Sequence, residues 1–431
     1  MARLTIRGGN PLQGRVTISG SKNSALAVLA AVCLADGESV LENIPHGTAI
    51  LTMCLILRQL GAVVFLDKDE RLHIDASAIN QYKAPYDLVR RERGSFYVAG
   101  LLLGRLGRAE VPLPGGCAIG SRPVDFHIRG FSALGADVSI EHGYMKAHTR
   151  SLQGTTLYVG RQSVGTTINL MIAAAQAEGV TVLENAGKEP EVVDVAILLN
   201  SMGAHIRGAG TDVIRIEGVS RLQPVTYSII SDRIEAGTFM MCTAMAGGEV
   251  LIENVVPEHL RSPIMKLTES GVSIEEHDSS LWVRSEGRIK ATDVETAPYP
   301  GFPTDLQQPF VSVLSTADGT SVVRENIFDR FRYVDELRRM GADIRVERDT
   351  AIVRGVEKLT GAPVEVTDLR AGAALVVAGL GASGETHVHG AEHIERGYEH
   401  FTDKLRALGA DIEHDDPDIP EASADFSALY R

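Results

Sequence analysis

The chain has 431 residues, which is enough for two or three domains of roughly 150 residues each. Its composition, 44% hydrophobic and 23% charged, is typical of a globular protein, and its formal net charge of -14 argues against nucleic acid or an anionic membrane as a partner. Four unevenly spaced cysteines argue against a disulfide framework or a zinc site, and the absence of a signal peptide or a membrane-spanning stretch predicts a cytoplasmic location.

The first helix that could carry a site begins in the stretch ISGSKNSALAVLAA, with Lys22 and Asn23 at its start. The unpaired amide groups and the dipole of a helix favour anions at this position, and Lys22 adds a full positive charge. The stretch therefore predicts an anion-binding helix start. A solvated surface lysine is the alternative explanation.

The next candidate is the glycine-rich segment PLPGGCAIGSRPVDFH, which follows Arg93 in RERGSFYVAG. Its glycines allow the backbone to fold tightly and to point amide groups at a ligand. Cys117 stands near Arg122 and a predicted helix start, and such a setting favours a reactive thiolate. The alternative is that Cys117 is a small residue filling a turn.

A sixfold repeat predicts the architecture. The motif L-x-x-L/M-G-A-x-apolar occurs five times, with a degenerate sixth copy, and its glycines, 68 to 74 residues apart, are Gly61, Gly135, Gly203, Gly271, Gly341 and Gly409. Each copy is typical of a helix that ends at a left-handed glycine and is followed by a strand. Six such units predict an α/β architecture of two pseudo-threefold domains. No G-x-G-x-x-G motif or Walker lysine loop is present to indicate a nucleotide-binding doubly wound sheet.

The later repeats place charged residues beside the small-residue starts of helices. These residues are Asp305, Arg330, Asp368, Arg370 and Arg396. The three arginines of this list and Lys22, Arg93 and Arg122 make six basic residues. They predict an interdomain cleft for a small, highly charged ligand, because guanidinium groups bind phosphates and carboxylates bidentately. Asp305 and Cys117 are the candidate proton-transfer groups in that cleft. On architecture alone, a ligand-binding or scaffold protein is the alternative.

The motifs SGSKNSAL, PGGCAIGSRPVDFH, DRIEAGTF, FPTDLQ, TDLRA and RGYEHFTDKLRALGA resemble those of the enolpyruvyl transferases that act on UDP-N-acetylglucosamine. The resemblance implies two inverse α/β barrels, with domain I in residues 1–21 and 231–413 and domain II in residues 22–230. It also implies transfer of the enolpyruvyl group of phosphoenolpyruvate to the sugar 3-hydroxyl with release of phosphate, the first committed step of peptidoglycan precursor synthesis. No metal or organic cofactor is implied, and the oligomeric state stays open.

The resemblance further implies a role for individual residues. Phosphoenolpyruvate is held by Lys22, Arg122 and Arg396, with Arg330 and Arg370 completing the cationic wall and Arg93 supporting the phosphate site. Asn23 and Asp305 face the amino sugar. The remaining substrate-binding residues, most of them around the uridine diphosphate, are Pro123, Val124, Asp125, Phe126, Ser163, Val164, Gly165, Ile327 and Asp368. Asp305 removes the hydroxyl proton, and Cys117 is either the general acid at C3 or a covalent carrier; in the family this cysteine is alkylated by fosfomycin.

The sequence departs from the family pattern in several places, two of which bear on function or order. Ala49 stands where the family has an aspartate, which keeps open a paralogous transferase with another nucleotide or sugar acceptor. A non-catalytic UDP-N-acetylglucosamine sensor is an alternative of a different class, although the presence of Lys22, Cys117, Asp305 and Arg396 argues against it. The second feature is the tail, residues 414–431, whose acidic and proline-containing composition predicts disorder.

Overall fold

The computed structural model describes residues 3–114, 124–414 and 426–430, and these residues form two compact units. The first unit comprises residues 3–19 and 231–414, and the second comprises residues 20–114, 124–230 and 426–430. The chain therefore leaves the first unit after Ser19 and returns to it after Ile230.

The strands of the described residues are, in chain order, β1 Arg3–Arg7, β2 Leu12–Thr17, β3 Glu38–Glu42, β4 Val63–Leu66, β5 Leu72–Asp75, β6 Arg108–Pro112, β7 Asp137–Glu141, β8 Tyr144–His148, β9 Thr156–Tyr158, β10 Val180–Glu184, β11 His205–Arg207, β12 Val213–Glu217, β13 Thr226–Ser228, β14 Gly248–Glu253, β15 Ser273–His277, β16 Ser280–Ser285, β17 Val294–Glu295, β18 Thr320–Arg324, β19 Asp343–Glu347, β20 Thr350–Arg354, β21 Pro363–Glu365, β22 Glu385–His389 and β23 Asp411–His414.

The helices of the same residues are α1 Lys22–Val32, α2 Thr48–Leu60, α3 Tyr86–Val89, α4 Val98–Leu106, α5 Asp125–Ala133, α6 Val164–Ala174, α7 Pro190–Ser201, α8 Arg233–Ala246, α9 Arg261–Glu269, α10 Thr304–Leu314, α11 Val334–Arg339, α12 Leu369–Gly381 and α13 Phe401–Ala407. Short 3₁₀ helices occupy Arg93–Tyr97, Pro257–Leu260, Ala391–His393 and Phe426–Leu429.

Each unit packs three small sheets around three buried helices. The first unit has sheets of order β21-β22-β1-β23, β15-β16-β14-β2 and β17-β18-β20-β19 around α8, α10 and α12. The second unit has sheets of order β13-β3-β5-β4, β6-β8-β7 and β11-β12-β10-β9 around α1, α4 and α6. Helices inside and strands outside are the arrangement of an inverse α/β barrel, so the predicted fold class is confirmed.

The four-stranded sheets share one pairing scheme. In the sheet that contains β14, this strand pairs with β2 in parallel and with β16 antiparallel, and β15 extends the sheet beyond β16. The same combination of one parallel pair and antiparallel neighbours recurs around β3, β10, β18 and β22. The sequence repeat is therefore a repeat of one folding unit.

The repeat glycines behave as the motif predicts. All six adopt positive φ angles, from 91° at Gly135 to 115° at Gly61, a region that residues with a Cβ enter only at a cost. Each glycine is followed within two residues by a strand, namely β4, β7, β11, β15, β19 or β23. The helix-stop interpretation of the repeat is confirmed.

The last described residues, 426–430, pack on the second unit. The ring of Phe426 stacks on His46 at 4.8 Å between centroids, and Leu429 is completely buried. Tyr430 forms a parallel bridge to Leu66, at the edge of a sheet. These five residues are therefore ordered, in contrast to the disorder predicted for residues 414–431, of which residues 415–425 and 431 lie outside the described residues.

We expect Leu429→Ala and a chain ending at His414 to lower the melting temperature of the second unit by similar amounts, because loss of the one buried leucine releases the segment. Burying a leucine side chain contributes about 1.5–3 kcal/mol, which corresponds to about 3–10 °C for a unit of this size. Differential scanning calorimetry measures the change. The control is Tyr430→Ala, at a side chain that is 47% exposed. An unchanged melting temperature in Leu429→Ala and in the chain ending at His414 would contradict the packing described for Leu429.

Candidate functional site

Lys22 is the first residue of the buried helix α1, and Asn23 follows it. Ser21 caps this helix by accepting a hydrogen bond from the Ser24 amide at 3.3 Å. Lys22 Nζ lies 3.9 Å from Glu92 Oε2, and the two side chains are only 12% and 15% exposed. The lysine is therefore held at a helix start beside a carboxylate, which excludes the alternative of a fully solvated surface lysine.

Arg93 begins the 3₁₀ helix that leads into α4, directly after Glu92. Glu92 caps this 3₁₀ helix, because Glu92 Oε1 accepts a hydrogen bond from the Gly94 amide at 3.0 Å. One carboxylate thus orders the Arg93 turn and also faces Lys22. The structure therefore brings Lys22 and the turn that carries Arg93 together within the second unit.

The residues predicted around the uridine diphosphate open two further helices of the second unit. Val124 is the N-cap of α5, Asp125 lies exposed in its first turn, and Phe126 packs so closely on Gly160 that a Cβ there would clash with the ring. Ser163 caps α6 by accepting a hydrogen bond from the Thr166 amide. Val164 and Gly165 follow as the first residues of α6.

His127 is a residue beside this region that the sequence analysis missed. Its Nδ1 lies 3.2 Å from Asn169 Nδ2, so Nδ1 accepts a hydrogen bond and the remaining proton sits on Nε2. Burial, and next the positive charge of Arg93, lower the pKa of His127 to about 3. A neutral imidazole next to Gly165 therefore presents an N–H donor near the start of α6. The only signal in the sequence is its place in the RPVDFH motif.

In the first unit, Asp305 lies between two arginines. Arg330 Nη1 is 2.6 Å from Asp305 Oδ1, and Arg370 Nη2 is 3.1 Å from Asp305 Oδ2. The arginine side chains are 6% and 4% exposed, whereas Asp305 is 23% exposed. Two buried guanidinium groups stabilise an ionised carboxylate, one edge of which still reaches solvent. Both arginines, predicted as substrate ligands, thus bind Asp305 in the structure.

Besides Asp305, two neighbours set the position of Arg370. Asp368 caps α12 by accepting hydrogen bonds from the backbone amides of Arg370 and Ala371, at 2.9 and 3.1 Å. The guanidinium group lies 5.0 Å from the centre of the Tyr398 ring, in the geometry of a cation–π contact. Tyr398 is in turn buried and hydrogen-bonded to Thr238. Asp368 therefore has a clear capping function within the protein itself.

Ile327 lies in a turn that is organised by Glu325. This buried carboxylate accepts hydrogen bonds from the amides of Ile327 and Phe328 through Oε1, and from the Thr304 hydroxyl through Oε2. Glu325 thereby fixes the turn against the start of α10, next to Asp305. Its sequence signal is the Glu-Asn pair of VRENIF. Arg396 is half-buried and follows the Ala391–His393 turn of the same unit.

The predicted residues Cys117, Arg122 and Pro123 lie outside the described residues. The other three cysteines, Cys33, Cys54 and Cys242, are fully buried in the cores of the two units. Burial raises the pKa of Cys33 and Cys54 to about 12 and raises that of Cys242 as well. These three thiols are protonated and inaccessible at neutral pH.

We expect one of the four cysteines to react in the native protein, because thiolate character and access both decide reactivity. Ellman's reagent at pH 8 should titrate one thiol rapidly in the folded wild type and none in folded Cys117→Ser. In the denatured wild type it should titrate all four. Two or more fast thiols in the native protein would contradict the burial of the other three, and no fast thiol would contradict an accessible Cys117.

No group of three or more histidine, cysteine, aspartate or glutamate side chains has the arrangement of a metal site among residues 3–114, 124–414 and 426–430. Over the same ranges, no helix combines the length and apolar character needed to cross a membrane.

Comparisons with known proteins give a consistent result. The family of EPSP synthase (3-phosphoshikimate 1-carboxyvinyltransferase) matches residues 6–405. The UDP-N-acetylglucosamine 1-carboxyvinyltransferase 2 of Symbiobacterium thermophilum is 56% identical over 413 residues, which cover 95% of this chain and 97% of that protein. The UDP-N-acetylglucosamine 1-carboxyvinyltransferase 3 of Caldanaerobacter subterraneus subsp. tengcongensis is 54% identical, with coverage of 96% and 99%.

Solved structures show the same fold. The enolpyruvyl transferase NikO from Streptomyces tendae superposes with a TM-score of 0.87 at 26% identity, covering 96% of this chain and 98% of that one. An EPSP synthase from Acinetobacter baumannii superposes with a TM-score of 0.74, covering 96% of this chain and 100% of that one, and at 18% identity is similar in fold alone.

Proposed function

Because the chain belongs to the EPSP synthase family, we infer that it transfers the enolpyruvyl group of phosphoenolpyruvate to UDP-N-acetylglucosamine and releases phosphate. This reaction supplies a precursor of peptidoglycan. Relatives that carry the name of this activity are 49–56% identical to the chain over most of its length. The presence of Lys22, Cys117, Asp305 and Arg396 in one chain agrees with a working transferase.

The observation that carries the proposal is the Asp305 arrangement. A carboxylate held by Arg330 and Arg370, with part of its surface exposed, is a fixed acceptor for a hydroxyl proton. Addition of the sugar 3-hydroxyl to C2 of phosphoenolpyruvate requires such an acceptor, because the hydroxyl must lose its proton as the new C–O bond forms. We therefore assign the base to Asp305.

The second half of the addition is the delivery of a proton to C3. We assign this step to Cys117, which stands in a glycine-rich segment close to Arg122 in sequence. In the covalent alternative, the Cys117 thiol adds across the double bond, with its sulfur going to C2 and its proton to C3. The sugar 3-hydroxyl, losing its proton to Asp305, then displaces the sulfur from C2 as a thiolate. In the elimination, C3 loses a proton and the C2–O bond to phosphate breaks, which leaves the enol ether on the sugar oxygen.

Cationic side chains compensate the charges of phosphoenolpyruvate throughout these steps. Lys22, Arg122 and Arg396 are the groups that we propose for this purpose. Arg330 and Arg370, which also bind Asp305, complete the proposed cationic wall. For the nucleotide, the helix starts at Val124 and Ser163 offer backbone amides to phosphate oxygens.

A paralogous transferase with another acceptor is the second candidate, and Ala49 is the observation that favours it. Ala49 lies in the first turn of α2 and is only 3% exposed, so this position offers no carboxylate. The loss of a negative charge near a helix start alters the local charge balance without removing a proposed catalytic group.

The experiment that tests the proposal is phosphate release from phosphoenolpyruvate with different acceptors: UDP-N-acetylglucosamine, shikimate 3-phosphate, UDP-glucose and UDP-N-acetylgalactosamine. We expect release with UDP-N-acetylglucosamine at a kcat/KM at least about a hundredfold above that of the others. Release with another acceptor only would identify the paralogue. Binding of UDP-N-acetylglucosamine in calorimetry without any release would identify a sensor.

A further inference from the structure

Two buried carboxylates form hydrogen bonds beside the two passages, which are the points where the chain changes from one unit to the other, at Ser19–Gly20 and at Ile230–Ser231. In the first unit, Ser19 is the last residue before the first passage, and its backbone amide donates a hydrogen bond to Glu235 Oε2 at 2.9 Å. Lys404 Nζ contacts both partners, at 2.6 Å from Glu235 Oε1 and 2.6 Å from Ser19 Oγ. The Glu235 side chain is 3% exposed. Glu235 and Lys404 therefore form a buried ion pair that is bonded to the passage itself.

The return passage is hydrogen-bonded to Ser19 and Glu235 as well. The backbone amide of Asp232, just after the chain re-enters the first unit, donates a hydrogen bond to the Ser19 carbonyl at 2.9 Å. The Asp232 side chain caps α8 by accepting hydrogen bonds from Ile234 and Glu235 amides. Glu235 thus lies in the first turn of α8, the helix that begins just after the return passage. Its side chain accepts a hydrogen bond from Ser19, the last residue before the first passage.

In the second unit, Asp194 of α7 has the corresponding position. Asp194 Oδ2 accepts a hydrogen bond from the Ser24 hydroxyl of α1, and Oδ1 accepts one from the Tyr227 hydroxyl at 2.6 Å. The Asp194 carboxylate also accepts a hydrogen bond from the Ile230 backbone amide. The Ile230 carbonyl in turn accepts a hydrogen bond from the Ser21 amide at 2.7 Å. Asp194, which is 1% exposed, therefore bonds residues beside both passages.

We propose that Asp194 and Glu235 are positioning residues that fix the two passages and thereby the start of α1, where Lys22 lies. The inference rests on the proposed function in one respect, namely that Lys22 binds a substrate. Ser19 and Ser24 flank Lys22 in sequence, one bonded to each carboxylate. The backbone of this short segment is therefore fixed from the first unit on one side of Lys22 and from the second unit on the other.

The cost of these two groups supports a positioning function over a stabilising one. Burial is the main influence on both carboxyls, raising the pKa of Glu235 to about 7 and raising that of Asp194 above its usual range. Buried charges contribute little net stability compared with well-packed apolar residues. Such groups do supply directional hydrogen bonds, here to the backbone amides of Ser19 and Ile230. Both carboxylates therefore accept hydrogen bonds from residues at the passages.

The kinetic test uses Glu235→Gln, Asp194→Asn and Ser24→Ala, the last of which breaks one hydrogen bond of Asp194 without altering the buried carboxyl. We expect kcat/KM for phosphoenolpyruvate to fall by about tenfold to a hundredfold in each, mainly through kcat, because misplacement of a binding group weakens transition-state binding most. Lys404→Met should behave like Glu235→Gln, whereas Lys404→Arg, which can still donate to both partners, should stay within about threefold of the wild type.

Matched controls are available on the same helices. Asp403→Asn removes a half-exposed ion pair with Arg406 on α13, one residue from Lys404. Asn200→Ala removes the hydrogen bonds between α7 and Ile206, on the helix that carries Asp194. We expect the first control to leave kcat/KM within about twofold, and the second to lower the melting temperature with the same small kinetic effect.

Hydrogen exchange on the full chain, without substrate, separates this proposal from the proposed function. We expect faster amide exchange in Glu235→Gln and Asp194→Asn that is confined to residues 19–24 and 230–235. Uniformly faster exchange across a whole unit, as expected for Asn200→Ala, would mean that the carboxylates only stabilise their units and would overturn the proposal, as would wild-type exchange with wild-type kinetics. If the wild type releases no phosphate with any acceptor, the proposed function fails, and the exchange pattern still decides whether the two carboxylates anchor the passages.

Discussion

Replacing Asp305 is expected to reduce turnover by about 10²–10⁴-fold, the range for loss of a general acid or base. Asp305 is the group to which we assign removal of the hydroxyl proton, and it is also the counter-charge of two buried arginines. Asp305→Ala removes both functions. Asp305→Asn removes the base but keeps an oxygen that can accept one hydrogen bond from Arg330 or Arg370.

The two substitutions should therefore differ in stability and agree in activity. Removing one partner of a fully buried ion pair costs about 3–5 kcal/mol; because Asp305 is 23% exposed, we expect about 2–3 kcal/mol for Asp305→Ala and less for Asp305→Asn. Urea denaturation and phosphate release measure the two effects. The control is Asp335→Ala, which removes an exposed ion pair with Arg338 in the same unit and should change neither quantity appreciably.

A second substitution separates stability from chemistry. Adding Arg330→Met to Asp305→Ala removes one of the two uncompensated charges, so part of the lost stability should return while turnover stays low. If Asp305→Asn retained more than about a tenth of wild-type turnover, the base would have to be another group.

Much of the fold could be predicted because its determinants are local. A glycine that ends a helix needs a particular φ angle whatever surrounds it, so six copies of one motif identified six copies of one folding unit before any packing was known. Gly271, in the degenerate copy, adopts a φ angle of 97° although the leucine and alanine around the glycine are lost. The helix-stop signal therefore survives where the rest of the motif does not.

The pairing of charged residues could not be predicted, because it depends on contacts between distant parts of the sequence. The sequence shows Arg330 and Arg370 as two more cations in a basic set, and only the structure shows that both bind Asp305. Glu235 and Lys404 are 169 residues apart and belong to no motif with each other. Counting charges identifies the cations of the sequence but does not show which of them bind a carboxylate within the protein.

The end of the chain illustrates a different limit of composition. Residues 414–431 are acidic on average, and that average predicts disorder. Phe426 and Leu429 nevertheless find buried positions on the second unit, and Arg58 Nη1 donates a hydrogen bond to the Ala428 carbonyl at 2.8 Å. Two apolar side chains in a short segment are enough to order it when a complementary surface is available, and composition does not record such a surface.

The second large effect is expected at Cys117, where two substitutions distinguish an acid from a nucleophile. Cys117→Ala removes every proton donor at this position and should lower turnover by at least about a hundredfold. Cys117→Asp retains a group that can donate a proton to C3 and should keep a substantial part of the activity. Steady-state phosphate release with UDP-N-acetylglucosamine measures both, with Cys54→Ala as a control at a completely buried thiol.

Fosfomycin tests the nucleophilicity of the Cys117 sulfur, and its effect on activity complements the two substitutions. Alkylation of a cysteine by an epoxide requires the thiolate, so the wild type should be inactivated with one equivalent bound. Cys117→Asp should remain active in the presence of fosfomycin, because a carboxylate is a much weaker nucleophile toward the epoxide. Equal and near-complete loss of turnover in both variants would instead mean that the sulfur itself carries the phospholactoyl group. Retained activity in Cys117→Asp together with resistance to the epoxide would assign proton donation to Cys117 and leave the covalent adduct outside the required path.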